Sequence, residues 1–371
     1  MGLVKRTDWL LLGSALLVSL AGLSVIYGFG TDDFLAIRQS IWLAISVGVF
    51  FLMSVIDFRF LRRTSTVVSI YIIAVVVLGL LFAVGSVFQG AQSWFNLGIF
   101  AVQPADPAKL ALIIVLAKYF SRRHIEIARL KHIIVSGSYM LIMFALLFFQ
   151  PDFGSAVILA GVWMGMVLIA GIPLRHLAII IGGAIAAIAL LWTFAFADYQ
   201  KARILTFLHP LADIQGTGYN AFQSTVAIGS GGLLGKGIGY GTQSRLEFLP
   251  EHETDFIFAA FAEEWGFIGT MILLSLFGVL IFRLVVNARE GATNFETLFI
   301  LGAAVLFVVH IAIHVGMNIG LLPVTGTTLP FMSYGGSHLV TEYAMLGIAN
   351  AMRRYGRAVH ADEPYEVIGI Q

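Results

Sequence analysis

Apolar runs of about twenty residues recur along this chain of 371 residues. Such a run is long enough for a helix to cross the roughly 30 Å hydrocarbon core of a bilayer. Only 12% of the residues are charged, against about 25% in an ordinary soluble domain. The apolar residues, 59% of the total, are not confined to one segment. The sequence therefore predicts a polytopic membrane protein.

The predicted fold class is all-α, with about ten transmembrane helices. The predicted spans cover residues 9–28, 37–57, 66–86, 105–120, 133–149, 154–172, 177–196, 256–286, 296–319 and 338–352. The first run lacks a small-x-small cleavage site and is predicted to be a retained span. We expect one integral membrane domain over residues 1–371, in which residues 197–255 form a large external loop between helices 7 and 8. The stretch from Gln200 to Leu211 suits a helix lying on the bilayer surface, and the tail after Arg357 is expected to be unstructured.

The basic residues predict the orientation of the chain. Sixteen of the 22 Lys and Arg residues lie on the side of the N-terminus. The positive-inside rule makes that side cytoplasmic, so both termini are predicted to be cytoplasmic. The remaining six lie outside or within the membrane: Arg38, Lys109, Lys201, Arg203, Lys236 and Arg245.

Composition excludes several classes of function. The net charge of +1 gives no reason to expect a nucleic-acid partner, and membrane lipid is the partner that the hydropathy implies. The absence of cysteine excludes disulfides and thiolate metal sites.

Acidic residues crowd the start of the predicted eighth span, where Glu251, Glu253 and Asp255 lie within five positions. One interpretation is that Thr254 or Asp255 caps the helix, and position alone favours it. The other is that Asp255 is functional, because an acid at the membrane boundary that faces a cavity is a functional candidate.

Other segments combine polar and apolar residues in ways that leave two interpretations open. Asp106 and Lys109 share a helix face. They form either a structural salt bridge or a site for an anionic headgroup. Asp152 suits a turn or cap. Ser333 and Tyr334 belong to a Gly- and Pro-interrupted stretch that either bends a packed helix or lines a cavity.

A glycine-rich segment, residues 216–241, surrounds Lys236. Such density lets backbone N–H groups approach a phosphate or sugar. It is not a nucleotide P-loop, since Ser230 and Gly237 stand where glycine and Ser or Thr are required. The repeat of His310, His314 and Asn318 predicts a polar seam between spans, because no third zinc ligand is evident.

Together these segments resemble the SEDS (shape, elongation, division and sporulation) family, also called the RodA/FtsW family. The similarity is densest over residues 203–266 and 318–337. The stretches Arg203-Ile-Leu-Thr-Phe-Leu, Ala227-Ile-Gly-Ser-Gly-Gly and Gly241-Thr-Gln-Ser are more similar to the elongation branch than to the division branch.

The resemblance implies a peptidoglycan glycosyltransferase that polymerises lipid II during cell elongation. Its expected place is the bacterial cytoplasmic (inner) membrane, with the active site on the external face. Its expected partners are lipid II, a class B penicillin-binding protein and other proteins of the elongation complex. The family's aspartate in Pro-Glu-x-x-x-Asp-Phe corresponds to Asp255, which becomes the candidate general base. Two departures are Glu253 in place of a usual His and Asp106 in place of a usual Glu.

The reaction that this implies is attack of a sugar hydroxyl on an anomeric carbon that carries a lipid pyrophosphate. Stabilisation of the leaving group would fall to Lys109, Arg203, Lys236 or a divalent cation, and no other cofactor is expected. The remaining candidate substrate-binding residues are Asp106, Asp152, Glu251, Ser333 and Tyr334. Two alternatives stay open: a lipid II flippase, for which Glu263, Glu264, His310 and His314 would matter, and a non-catalytic scaffold of the cell-wall synthesis complex.

Overall fold

The computed structural model describes residues 7–29, 33–88, 91–96, 98, 101–122, 130–194, 196–209, 218–246 and 248–361. Within these residues, long helices run in alternating directions through a bundle. They are α1 (Trp9–Gly28), α2 (Asp33–Val55), α3 (Thr64–Val84), α4 (Ala105–Ser121), α5 (Leu130–Phe149), α6 (Phe153–Ile169), α7 (Leu174–Phe194), then, after three shorter helices, α11 (Ile257–Arg289), α12 (Asn294–Asn318) and α13 (Gly336–Ala361).

The bundle has two chemically different ends. At the first, which we call the basic end, Arg283 lies 2.9 Å from Asp8, and Arg62 lies 2.6 Å from Glu296. At the second end, which we call the site end because the candidate functional residues lie there, side chains join the connections between helices. Gln39 there donates to the backbone carbonyl of Ser333 at 3.1 Å.

The predicted polytopic all-α fold is confirmed. Among the described residues, seven helices are long and apolar enough to cross a membrane, and α6 is a shorter apolar helix. The other two long helices, α4 and α13, place charged residues inside the bundle, including Asp106 and Lys109 in α4 and Glu342 in α13. These buried charges explain why both appeared short as apolar runs.

Helix α1 packs on α11, and α2 packs on α13. Small residues also bring α1 close to the segment before α13, and α2 close to α13 itself. A Cβ atom on Gly22 would lie 2.2 Å from the carbonyl oxygen of Met332, and one on Gly347 would lie 2.6 Å from that of Phe50. The glycines therefore set how closely the first two helices approach the last part of the chain.

Two connections at the site end carry structure that the sequence analysis did not predict. Between α3 and α4, the strands β1 (Ser86–Phe88), β2 (Ala91–Asn96) and β3 (Ala101–Val102) pair antiparallel in that order. Between α7 and α11 lie α8 (Asp198–Leu208), α9 (Tyr219–Ser230) and α10 (Thr242–Arg245). The helix predicted from Gln200 begins two residues earlier, and positions 210 and 211 lie outside the described residues.

The end of α13 differs from its prediction. The helix continues to Ala361, through Arg357, although the tail after Arg357 was expected to be unstructured. The sequence there is rich in Ala and Arg, both good helix formers, and proline does not interrupt it. Helix propensity therefore extends the helix beyond the apolar run on which the prediction rested.

Candidate functional site

Asp255 lies in a tight turn that precedes α11. Glu251 has a positive φ of 51°, and its backbone carbonyl accepts hydrogen bonds from the N–H groups of Thr254 at 3.2 Å and Phe256 at 3.1 Å. The residue at the N-cap position of α11 is Phe256, and no side chain caps the helix. The interpretation of Thr254 or Asp255 as a helix cap is therefore wrong, because the turn places both residues before the cap position.

Asn318 fixes this turn from the end of α12. Its side-chain amide donates to the backbone carbonyl of Asp255 at 3.0 Å, and its Oδ1 atom accepts from the N–H of Ala259 at 3.3 Å. On the other side of the turn, a Cβ atom on Gly326 would lie 3.5 Å from Oδ2 of Asp255. The carboxylate thus faces the irregular segment that links α12 to α13.

Charged residues from three parts of the chain act on the Asp255 carboxyl. Burial and the Glu251 carboxylate raise its pKa, Arg203 of α8 opposes that change, and Glu253 and Asp152 add to it. The resulting pKa of Asp255 is about 7. A carboxyl with this pKa is half ionised near neutral pH, which suits a group that takes up and releases a proton.

Ser333 and Tyr334 lie against the same turn. The Ser333 hydroxyl donates to the backbone carbonyl of Thr254 at 2.8 Å, and the N–H of Tyr334 donates to the carbonyl of Glu253 at 2.9 Å. These contacts place both candidate residues beside the acidic turn, where Ser333 acts as a brace between two loops.

Asp152 occupies the position predicted for it at the start of α6. Its Oδ1 atom accepts from the N–H of Ser155 at 3.0 Å, so it is a helix cap. Its Oδ2 atom accepts from the side-chain amide of Gln103 at 3.2 Å. Asp152 therefore caps α6 and also contributes to the electrostatic surroundings of Asp255.

Asp106 and Lys109 form a buried ion pair of 3.1 Å at the site end of α4. Asp106 also lies 3.1 Å from Nδ1 of His338, and Nε2 of His338 lies 2.9 Å from Glu342. The ring of His310 stacks on His338 at 5.6 Å between centroids. The predicted pair is thus part of a larger buried polar cluster shared by α4, α12 and α13.

Lys236 pairs with a buried acidic residue of α11. Its ammonium group lies 2.7 Å from Glu263, a fully buried residue of α11. Glu263 also accepts from the N–H groups of Thr242 at 2.9 Å and Gln243 at 3.1 Å. The described part of the glycine-rich segment therefore docks on α11 through Lys236, and the adjoining start of α10 docks through Thr242 and Gln243. A phosphate-binding role for Lys236 stays a prediction.

Tight packing explains why glycines occur where the glycine-rich segment meets α11. Gly266 interrupts the helical backbone of α11 with a φ of 68°, and a Cβ atom there would lie 2.2 Å from the nitrogen of Gly235. Neither position accepts a side chain. Gly216, at the start of the segment, lies outside the described residues.

The described residues do not include a group of three or more His, Asp or Glu side chains arranged to hold a metal ion. The carboxylates near Asp255 act on it through space, and His338 has both ring nitrogens engaged. The acidic and histidine side chains around this site therefore do not fit a divalent cation held by protein ligands alone.

The buried contacts of His338 and Glu342 were not predicted from the sequence. Their four-residue spacing at the start of an apolar helix was a usable signal, because ionisable residues within a span are functional candidates. Asn318 was noted only as part of a polar seam. Its bond to the Asp255 turn joins residues 63 positions apart, which spacing does not reveal.

The fold and the site define a polytopic helical membrane protein with an acidic site at one end of its bundle. The family model described as cell cycle protein, which groups FtsW, RodA and SpoVE, matches residues 4–358. The chain belongs to this family, which confirms the resemblance of its motifs.

Relatives and solved structures agree with this assignment. The chain is 38% identical over 286 residues to the peptidoglycan glycosyltransferase MrdB of Escherichia coli K12, covering 77% of each chain. It is 34% identical over 352 residues to stage V sporulation protein E of Bacillus subtilis 168, covering 94% of each. A chain from a structure described as structural coordination of polymerization and crosslinking by a peptidoglycan synthase complex matches with a TM-score of 0.80 and 30% identity, covering 94% of this chain and 98% of that one. RodA of Thermus thermophilus matches with a TM-score of 0.70 and 29% identity, covering 94% and 96%.

Proposed function

We propose that this chain polymerises lipid II as a peptidoglycan glycosyltransferase, with Asp255 as the general base. The observation that carries the proposal is the environment of Asp255, where partial burial and neighbouring carboxylates raise its pKa to about 7. A base with that pKa accepts a proton from a sugar hydroxyl near neutral pH, an effect worth roughly 10²–10⁴ in rate. The curated relative MrdB bears the name of the same activity.

The reaction requires a base that removes a proton from the acceptor hydroxyl and a group that stabilises negative charge on the leaving pyrophosphate. Asp255 takes the proton of the acceptor hydroxyl while the oxygen attacks the anomeric carbon of the donor. The bond from that carbon to the lipid pyrophosphate breaks, and negative charge collects on the pyrophosphate. Arg203 acts electrostatically on Asp255, which supports a role for its guanidinium group in stabilising that charge.

The flippase alternative requires polar groups through the full depth of the membrane. Along α12, the buried polar residues His310, His314 and Asn318 lie toward the site end, and Glu296 lies at the basic end. Between Glu296 and His310, the buried side chains include Phe299, Ile300, Ala303 and Phe307. This apolar stretch of α12 favours the polymerase over a carrier.

The orientation proposal is that the basic end faces the cytoplasm and the site end is external, with residues 197–255 outside. The chain has no native cysteine, so single cysteines report the topology cleanly. Arg245 is exposed in the predicted external segment, and Arg59 is exposed at the basic end. We expect an impermeant maleimide to label intact spheroplasts at Arg245→Cys and to label Arg59→Cys only after lysis. The reverse pattern would overturn the orientation.

The proposed partner is a crosslinking enzyme of the class B penicillin-binding type. Support comes from the match to a chain of a complex described as coordinating polymerization and crosslinking. Co-purification of the two proteins from one membrane, with and without the partner's transmembrane helix, tests this proposal.

The decisive test is reconstitution of the purified protein in proteoliposomes with fluorescent lipid II. We expect glycan chains from the wild-type protein and none from Asp255→Asn. Transfer of lipid II between leaflets without polymer would favour the flippase, and a folded protein that neither polymerises nor transfers lipid II would favour the scaffold.

A further inference from the structure

A second site lies at the basic end of the bundle, far from Asp255. A cavity of about 630 Å³ lies between α3 and α5, against the last turns of α4. Its lining residues are Thr64, Val67, Val68, Tyr71, Val115, Lys118, Tyr119, Arg122, Lys131, His132, Val135 and Tyr139. We propose that this cavity binds an anionic glycerophospholipid. The proposal does not depend on the function proposed above.

The polarity of the lining changes with depth. The charged and polar residues lie at the helix ends, as Arg122 does at the C-cap of α4 and Lys131 does in the first turn of α5. One to two turns further into the bundle the lining becomes apolar, with Val67 of α3, Val115 of α4 and Val135 of α5. A molecule with a polar head and a hydrocarbon tail matches this gradient, whereas a free anion would contact only the outer part.

Tyr71 and Tyr139 line the cavity at the positions furthest from the helix ends in α3 and α5. The hydroxyl of Tyr71 donates to the backbone carbonyl of Tyr139 at 3.0 Å, and the two rings pack edge to face at 5.4 Å. The ring of Tyr119 lies 6.0 Å from that of Tyr139. Because Tyr71 and Tyr139 lie seven and eight residues beyond Thr64 and Lys131, the cavity extends about 10–12 Å into the bundle.

The positive charge of the lining favours an anionic ligand. Lys118, Arg122 and Lys131 all line the cavity, and no carboxylate among the described residues does. Lys118 and Arg122 are four residues apart on one helix, an arrangement that is destabilising for like charges. A phosphate between these cations would remove that repulsion.

Among the residues that the structure describes, the groups next to Lys118 leave its positive charge in place. Lys118 donates to the backbone carbonyl of Arg62, a neutral acceptor. The carboxylate that acts on Lys118 is Glu296, and it is already paired with Arg62 at 2.6 Å. Tyr119 and His132 lie 2.9 Å apart and add polar atoms close to the cations.

A titration of the purified full-length protein tests the site. Phosphatidylglycerol is added to the protein in detergent, and native mass spectrometry measures the fraction with bound lipid. Phosphatidylcholine with the same acyl chains is the matched zwitterionic ligand. We expect saturable binding of one phosphatidylglycerol and much weaker binding of phosphatidylcholine. Equal binding of the two lipids, or preferential binding of a polyprenyl phosphate, would overturn the assignment.

Two variants separate the cavity from general surface charge. Each Lys or Arg near an anionic lipid surface contributes about 1 kcal/mol, so Arg122→Gln with Lys131→Gln should weaken binding about thirtyfold. Arg175→Gln with Arg289→Gln removes the same charge from exposed positions in α7 and α11, away from the cavity, and should change binding less than about twofold. An equal loss in both double variants would mean that only net charge matters.

Val135→Phe fills the cavity without a change of charge, and thermal unfolding confirms that the variant is folded. We expect it to weaken phosphatidylglycerol binding as strongly as the charge variant does. Unchanged binding in a folded Val135→Phe protein would show that the lipid lies elsewhere. This variant also carries the test by itself if the charge variant does not fold.

Discussion

The side-chain amide of Asn318 donates one hydrogen bond to the backbone carbonyl of Asp255 at 3.0 Å and another to the carbonyl of His314 at 2.8 Å. Its Oδ1 atom accepts from the N–H of Ala259 and from the hydroxyl of Ser224, each at 3.3 Å. One buried side chain thus joins α9, α11, α12 and the acidic turn. Asp255 is positioned through its backbone, and no hydrogen bond to its carboxylate forms among the described residues.

Asn318→Ala should therefore reduce polymerisation through misplacement of Asp255. The change leaves buried donors and acceptors without partners, at a cost of about 1–3 kcal/mol each. We expect kcat to fall at least tenfold, while the midpoint of the pH profile stays near 7. Asn294→Ala, at the exposed opposite end of α12, is the matched control and should leave both unchanged. A normal kcat in folded Asn318→Ala would show that the turn positions itself.

The raised pKa of Asp255 predicts how activity depends on pH. The base form is lost as pH falls through about 7, so kcat/KM should decline tenfold for each unit below that value. Initial rates of lipid II polymerisation between pH 5 and 9 measure this. A profile that is flat down to pH 5 would contradict the base assignment.

Asp255→Asn should abolish activity and, at high pH, increase stability. Because the folded-state pKa is raised from 3.8 to about 7, ionisation destabilises the folded wild-type protein increasingly between those two values. The variant has no such cost. We expect equal melting temperatures at pH 4 and a higher melting temperature for Asp255→Asn at pH 8. Lower stability of the variant at pH 8 would mean that the ionised carboxylate is stabilised by its surroundings.

The buried pair in α4 allows structure to be separated from function. Asp106→Leu leaves Lys109 buried without its carboxylate, which should cost about 3–5 kcal/mol. Asp106→Leu with Lys109→Met removes both charges and leaves His338 paired with Glu342. We expect the double variant to regain most of the stability but no activity, since Lys109 is a candidate for stabilising the pyrophosphate leaving group. A stable and fully active double variant would show that the pair is only structural.

Two glycines of α11 provide a matched test of the docked glycine-rich segment. Gly266 has a positive φ, and a Cβ atom there would meet the backbone of Gly235, whereas a Cβ atom on Gly278 would meet nothing within 4 Å. Gly266→Ala should therefore destabilise the protein severely. Gly278→Ala should stabilise it by about 0.4–1 kcal/mol. Melting temperatures of the two variants in one detergent give the comparison.

Hydropathy was sufficient to predict the spans, because each must be apolar over a fixed length. The predicted bounds of the first span, 9–28, coincide with α1, and those of the fourth, 105–120, differ from α4 by one residue. The bounds failed where membrane thickness does not determine them, as at the end of α13.

The candidate site was predicted in part. Position and motif made Asp255 the candidate base, which stays a prediction, and the structure brings Glu251, Asp152 and Arg203 into its electrostatic surroundings. The partners of buried charges were not predictable, since the contact between Asp106 and His338 joins residues 232 positions apart. Spacing identifies neighbours on one helix but not the helix that faces it.

The ion pairs of Asp8 have a consequence for how the protein is made. Its carboxylate caps α1 and accepts hydrogen bonds from Arg283 and Asn287 of α11, and it lies 3.2 Å from Arg353 of α13. Its backbone N–H donates to Asn350 of α13 at 3.1 Å. During synthesis the first span thus enters the membrane long before the ribosome has made the residues that neutralise its acid. A nascent chain stopped before α13 would carry an incompletely compensated carboxylate for membrane quality control to detect.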